Sequence, residues 1–153
     1  MGSDKGLVSL QIWRRSVDFA VDISRKDLPL FPVEEKWALI QQLRRASQSI
    51  SANIAEGYGR YYYQEGIRFC YLARGSFEEV YSHLRLAQKL GYLKSKDTQT
   101  LFEEIVELRR MLNGYVNFLK QSKHGEGEPG SQRSLREDQI DYRIEPDNHN
   151  PDF

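Results

Sequence analysis

Residues 63–90 read YQEGIRFCYLARGSFEEVYSHLRLAQKL, a run without proline. Within it Gly66, Cys70, Ala73, Phe77, Val80, Leu84 and Ala87 recur at alternating steps of four and three. That spacing puts their side chains on one side of a helix. A repeat averaging about 3.5 residues keeps a partner in contact only when helices lie nearly aligned with a left-handed twist. The first half of the stripe is small, which admits a neighbouring helix closely. Gly91 follows where a left-handed cap belongs. The expectation is a helix from about Tyr63 to Leu90 inside an all-α, antiparallel up-down four-helix bundle.

Upstream, Leu10, Trp13, Val17 and Ala20 fall at helical spacing, so a first helix is predicted from about Val8 to Arg25. Ile12, Phe19 and Ile23 form a second apolar stripe on it. Pro29 and Pro32 break the pattern, because each lacks an amide donor. Pro32 followed by Glu34 and Glu35 reads as a helix start with acids at the positive end of the dipole. The second helix would present Trp37, Ile40, Leu43, Ser47, Ile50 and Ile54 inward and end at Gly57-Tyr58-Gly59. Downstream, Ser95 is the expected N-cap of a fourth helix, with Asp97 in its first turn. Leu101, Ile105, Leu108, Leu112, Tyr115 and Leu119 form its inner stripe. Residues 1–6 are expected to be flexible, 7–123 to form the bundle and 124–153 to be a disordered acidic tail, with Ser134–Tyr142 able to form a short helix on a partner.

The formal net charge of zero conceals an asymmetry. Residues 124–153 carry 8 acids and 3 arginines, leaving 19 basic and 14 acidic residues before them, a body of +5 and a tail of −5. The single cysteine, Cys70, excludes an internal disulfide or a cysteine-based zinc site and suits a cytoplasmic setting. No apolar run is long enough to span a bilayer.

Catalytic chemistry finds few residues. A di-iron bundle needs Glu-x-x-His pairs on two helices, and His83 is the one histidine before the tail. Cys70 lies on the apolar stripe and too far along the helix from His83 to pair with it. Gly57-Tyr58-Gly59 lacks the third glycine of a dinucleotide loop. No catalytic residue, metal or cofactor is expected.

The arginines are more telling. Arg68 follows Glu65 by three residues and Arg74 precedes Glu78 by four, spacings that form ion pairs on a helix. From Trp37 to Ala55 there is no acid, so Arg44 and Arg45 lack such partners. Either acids from other helices or subunits neutralise them, or phosphates do. Tyr58, Arg60, Tyr61, Tyr62 and Tyr63 interleave aromatic rings with a cation, which suits base stacking or equally a packed corner or subunit interface. The candidate nucleic-acid-binding residues are therefore Arg44, Arg45, Arg60, Arg68, Arg74, Tyr58 and Tyr61.

The stretches 31–37 (FPVEEKW), 42–46 (QLRRA), 49–60 (SISANIAEGYGR) and 68–76 (RFCYLARGS), with 90–93 (LGYL) and 110–114 (RMLNG), resemble the four-helix-bundle proteins encoded in intervening sequences of bacterial 23S rRNA genes. The resemblance implies a ring-shaped homopentamer without enzymatic activity. It is also similar to the accessory variability protein of diversity-generating retroelements, which implies RNA and a reverse transcriptase, or another protein, as partners. Ser51 and Gly66 depart from the family pattern, at positions where proline and a bulky apolar residue are usual. Two functions follow as expectations: an oligomeric scaffold for RNA or an RNA–protein complex, and alternatively a protein–protein interaction module without nucleic-acid contact. The stripes Ile12, Phe19, Ile23 and Phe102, Val106, Met111 exceed what one bundle interior needs and favour oligomerisation.

Overall fold

A computed structural model describes residues 6–123 and 125–127. It contains four α-helices, α1 (Gln11–Asp22), α2 (Leu39–Tyr58), α3 (Tyr63–Lys89) and α4 (Ser95–Ser122), and no strand among the described residues. The expected short helix at Ser134–Tyr142 and the rest of the acidic tail from residue 128 lie outside the described residues.

α3 follows its stripe closely. Gly66, Cys70, Ala73, Phe77, Val80, Leu84 and Ala87 are all buried. The helix closes on Gly91 at φ 80°, with the Tyr92 amide donating to the Ala87 carbonyl and the Gly91 amide to that of Gln88. This pair of bonds satisfies carbonyls that the helix end leaves open.

α1 differs from expectation in phase. Ile12, Phe19 and Ile23, expected as a surplus stripe, are its core residues at 3%, 0% and 0% exposure. Leu10, Trp13 and Val17 are only partly buried. The chain's own interior thus absorbs the first stripe that argued for assembly, whereas of the second only Phe102 is buried: Met111 is half-buried and Val106 is 36% exposed. The helical path also outlasts Arg25, as a π turn over Ile23–Asp27. Leu28-Pro29-Leu30 then breaks it, since Pro29 brings no amide.

α2 begins later than Pro32 suggests. Val33–Glu35 is an isolated 3-10 turn, and Trp37, expected inside, is 76% exposed. Glu35 still serves the helix start: its carboxylate accepts from the Leu39 amide at 3.0 Å and from the Tyr92 hydroxyl at 2.9 Å. One acid thereby caps α2 and ties it to the α3–α4 connection. The N-cap of α4 is Lys94 rather than Ser95, without a side-chain capping bond. The Thr98 hydroxyl, fully buried, donates to the carbonyls of Lys94 and Ser95 instead. On α4 Leu101, Ile105, Leu108 and Leu112 are buried as expected, whereas Val116 takes the inner place beside half-buried Tyr115 and Leu119.

The most extensive helix contact is α2 against α3. There a Cβ on Gly57 would come within 2.8 Å of the Phe69 Cβ and 3.0 Å of the Gly66 carbonyl oxygen. The Ser76 hydroxyl bonds that of Ser49 at 2.9 Å along the same seam. Phe19 and Phe77 meet in the interior with ring centroids 6.5 Å apart.

Candidate nucleic-acid interface

α2 and α3 carry most of the candidate residues because their inner faces are consumed by packing, which leaves the arginines outside. Arg44, Arg45, Arg68 and Arg74 are all exposed. None of the four has an ion pair among the described residues. The helical pairs suggested by spacing do not form for Arg68 and Arg74. Glu78 is instead held from α4, by Arg109 Nη1 at 2.6 Å. Tertiary packing thus removes the acid that local spacing assigned to Arg74.

Arg60 is different. Its guanidinium is 2.6 Å from the Glu56 carboxylate and lies over the Phe69 ring, 5.1 Å from the centroid. Tyr58 and Tyr61 are 40% and 54% exposed. Tyr61 meets Tyr62 edge to face at 5.2 Å, and both rings border Gly125 as the chain leaves α4.

The seven residues do not converge on one concave site. Arg44 and Arg45 are consecutive, hence about 100° apart around α2. Arg44 is one turn from Gln48, which lines a groove with α1, and Arg45 is one turn from Ser49, which meets α3. Tyr58, Arg60 and Tyr61 gather at the α2–α3 connection, and Arg68 and Arg74 spread along the exposed side of α3. Such a distribution suits contact with an extended polyanion rather than enclosure of a small ligand.

Sequence reasoning missed the α1–α2 groove. Its walls are Val17, Ala20, Val21, Ser24 and Arg25 from the α1 side and Gln48 and Ser51 from α2. Arg25 is exposed and, like Arg44, without an ion pair among the described residues. The signal was present in the absence of acids among Trp13, Val17, Val21 and Ser24, opposite the acid-free run of α2.

The remaining reactive groups are quiet. Burial pushes the Cys70 thiol up to about 12, so at neutral pH it holds its proton. Cys70 should label with a thiol reagent only when the chain unfolds; rapid labelling of the native protein would contradict this. His83 is half-buried, with Nε2 3.5 Å from Glu79 but not hydrogen-bonded. Among the described residues no group of three or more His, Cys, Asp or Glu side chains is placed to hold a metal ion. No helix of the described residues is long and apolar enough to cross a membrane.

Comparison with known proteins places this geometry in a family. No curated protein matches the chain. A crystal structure of a protein of unknown function from the S23 ribosomal protein family of Bacteroides thetaiotaomicron superposes with a TM-score of 0.63. It is 21% identical, and the match covers 69% of this chain and 97% of that one, a likeness of fold. The family model for the 23S rRNA-intervening sequence protein matches residues 8–114, from just before the first helix to about two thirds of the way along the fourth. The chain belongs to the 23S rRNA-intervening sequence protein family.

Proposed function

We propose that this chain is a non-enzymatic scaffold, an up-down antiparallel bundle that assembles into a homopentamer and binds RNA or an RNA–protein complex. A retroelement reverse transcriptase is one such protein partner. The observation that supports the reading is the set of exposed arginines, Arg44, Arg45, Arg68 and Arg74, none of which has an ion pair among the described residues. An exposed guanidinium is weakly hydrated and matches phosphate geometry. Five copies around a ring would turn a modest patch into a strong one by multivalency.

Of the two stripes, Val106 alone stays exposed (36%), so assembly rests on it and on other surface residues. Val33 (77%), Trp37 (76%) and Phe118 (62%) expose large apolar groups. Those same residues favour the second reading, a module that captures a protein and no nucleic acid.

Titrating a labelled single-stranded RNA at several salt concentrations separates the two. Each neutralised phosphate contributes a slope of roughly −0.7 in log affinity against log salt, so Arg44→Gln with Arg45→Gln should reduce the slope by about one to two units. Light scattering of the same samples should show an unchanged oligomer. If the double variant instead dissociates the oligomer and leaves RNA affinity per chain unchanged, the arginines belong to an interface. A monomer mass at micromolar concentration would sink the assembly.

A further inference from the structure

We propose that the groove between α1 and α2 is a docking site for this chain's own acidic C-terminal segment, residues 135–145. The groove has an apolar floor of Val17, Ala20 and Val21 and polar edges of Ser24, Gln48 and Ser51. Arg25 lines it, and Arg44 stands one helical turn from Gln48. Neither guanidinium has an ion pair among the described residues. The acids of α1 do not line the groove, and Asp22 is held by Lys26 at 2.9 Å. Its volume of about 280 Å³ lies below the roughly 300–1,000 Å³ of small-molecule sites, and its open trough suits side chains presented by a peptide.

Residues 135–145 have the complementary chemistry. They combine Leu135, Ile140, Tyr142 and Ile144 with Glu137, Asp138, Asp141 and Glu145, against Arg136 and Arg143. The apolar residues match the valine floor, and the net negative charge matches Arg25 and Arg44. The tether is long enough along the axis of α2. Gly125 lies against Tyr61 and Tyr62, just beyond the end of α2. From Tyr58 back to Gln48 is about 15 Å at 1.5 Å per helical residue, and the seven residues 128–134 span up to about 23 Å extended. A short tether holds the segment at an effective concentration of about millimolar, enough to populate a weak contact. Docking would cover Arg44 and so reduce access to the proposed RNA surface, a consequence that rests on that reading, whereas the docking itself does not.

Native chymotrypsin cleavage after Tyr142, followed by mass spectrometry on the full chain, tests this without RNA. Cleavage tracks the undocked fraction, so at about 20 mM salt the natural chain should be cut about tenfold more slowly than Arg25→Glu/Arg44→Glu. Adding Glu137→Lys and Asp138→Lys to that variant should restore protection. Equal rates in the natural chain and the double variant overturn the proposal, as does failure of the charge exchange to restore protection. Circular dichroism confirms that each variant keeps its helices, and RNA titration of the same variants judges the RNA reading separately.

Discussion

Gly57→Leu lowers the unfolding free energy by about 3 kcal/mol or more, read from denaturant midpoints at fixed protein concentration. The cause is the seam between α2 and α3. At Gly57 even a Cβ would meet the Phe69 Cβ at 2.8 Å and the Gly66 carbonyl oxygen at 3.0 Å. Neither obstacle is the free end of a flexible side chain. One is the root of a side chain and the other is backbone, so the helices themselves must separate. Separation reduces packing along the whole seam, where Ile50 and Ile54 are fully buried on α2 and Ala73 and Phe77 on α3.

Alanine at Gly57 shows how two effects compete. It gains about 1 kcal/mol of helix propensity, while overpacking costs typically 1–3 kcal/mol, so a net loss near 1 kcal/mol is expected. Gly66 provides the internal control. A Cβ there would be 3.3 Å from the Gly57 carbonyl oxygen and 3.4 Å from Leu119 Cδ1, contacts that a few tenths of an ångström relieve. Gly66→Ala should therefore lie within about 1 kcal/mol of the natural chain, because the propensity gain offsets the squeeze. If Gly57→Leu matches Gly66→Ala in stability, the close approach is not a constraint of the fold.

The small residues of α3 made that approach legible in the sequence. α3 has one strongly apolar side, and its period leaves no choice of phase. α1 has two apolar stripes of similar weight, and nothing local says which one faces the core. The structure chooses Ile12, Phe19 and Ile23 and fills the intervening inner position with Ser16, which is fully buried. A buried serine on an amphipathic helix reads as surface until packing is known. Trp37 misled in a similar way, because its size suggests burial while α2 begins only at Leu39. Of the candidate interface, the lack of helical partners for Arg44 and Arg45 was visible because an acid-free run needs no tertiary knowledge, whereas the absence of acids from other helices required the structure. The fate of Glu78 was not, since its partner Arg109 comes from α4. The same limit hid Asp27, whose five-residue π turn has no sequence signature in the way a cap or a glycine turn has.

Asp27→Asn should stabilise the protein at neutral pH and do so much less in acid. Asp27 is 8% exposed, at the end of that π turn. Its carboxyl is pushed up to about 6 from 3.8, first by desolvation, then by the negative charges of Asp97 and Asp22, with Glu104 adding and Lys26 opposing. Below the ordinary carboxylate range the group is protonated in both folded and unfolded chains and imposes no penalty. As pH rises toward 6 the unfolded chain releases its proton while the folded chain retains it, so stability falls. Above that the folded chain must hold a buried charge that Lys26 offsets only in part. The linkage bounds this cost at about 3 kcal/mol, and water at the exposed edge reduces the measurable part to about 2 kcal/mol. Asparagine keeps the shape and removes the charge, so melting temperature should rise by about 4–8 °C near neutral pH. By linkage the advantage should shrink to about a third near pH 4.5, where the folded natural chain keeps its own proton. Comparing the two proteins at each pH cancels the titration of every other carboxylate they share. An unchanged gap between the two pH values would show that Asp27 acts through packing or hydrogen bonding rather than charge. A variant no more stable than the natural chain near neutral pH would mean that the ionised carboxylate is compensated, with Lys26 as the nearest cation on the same turn.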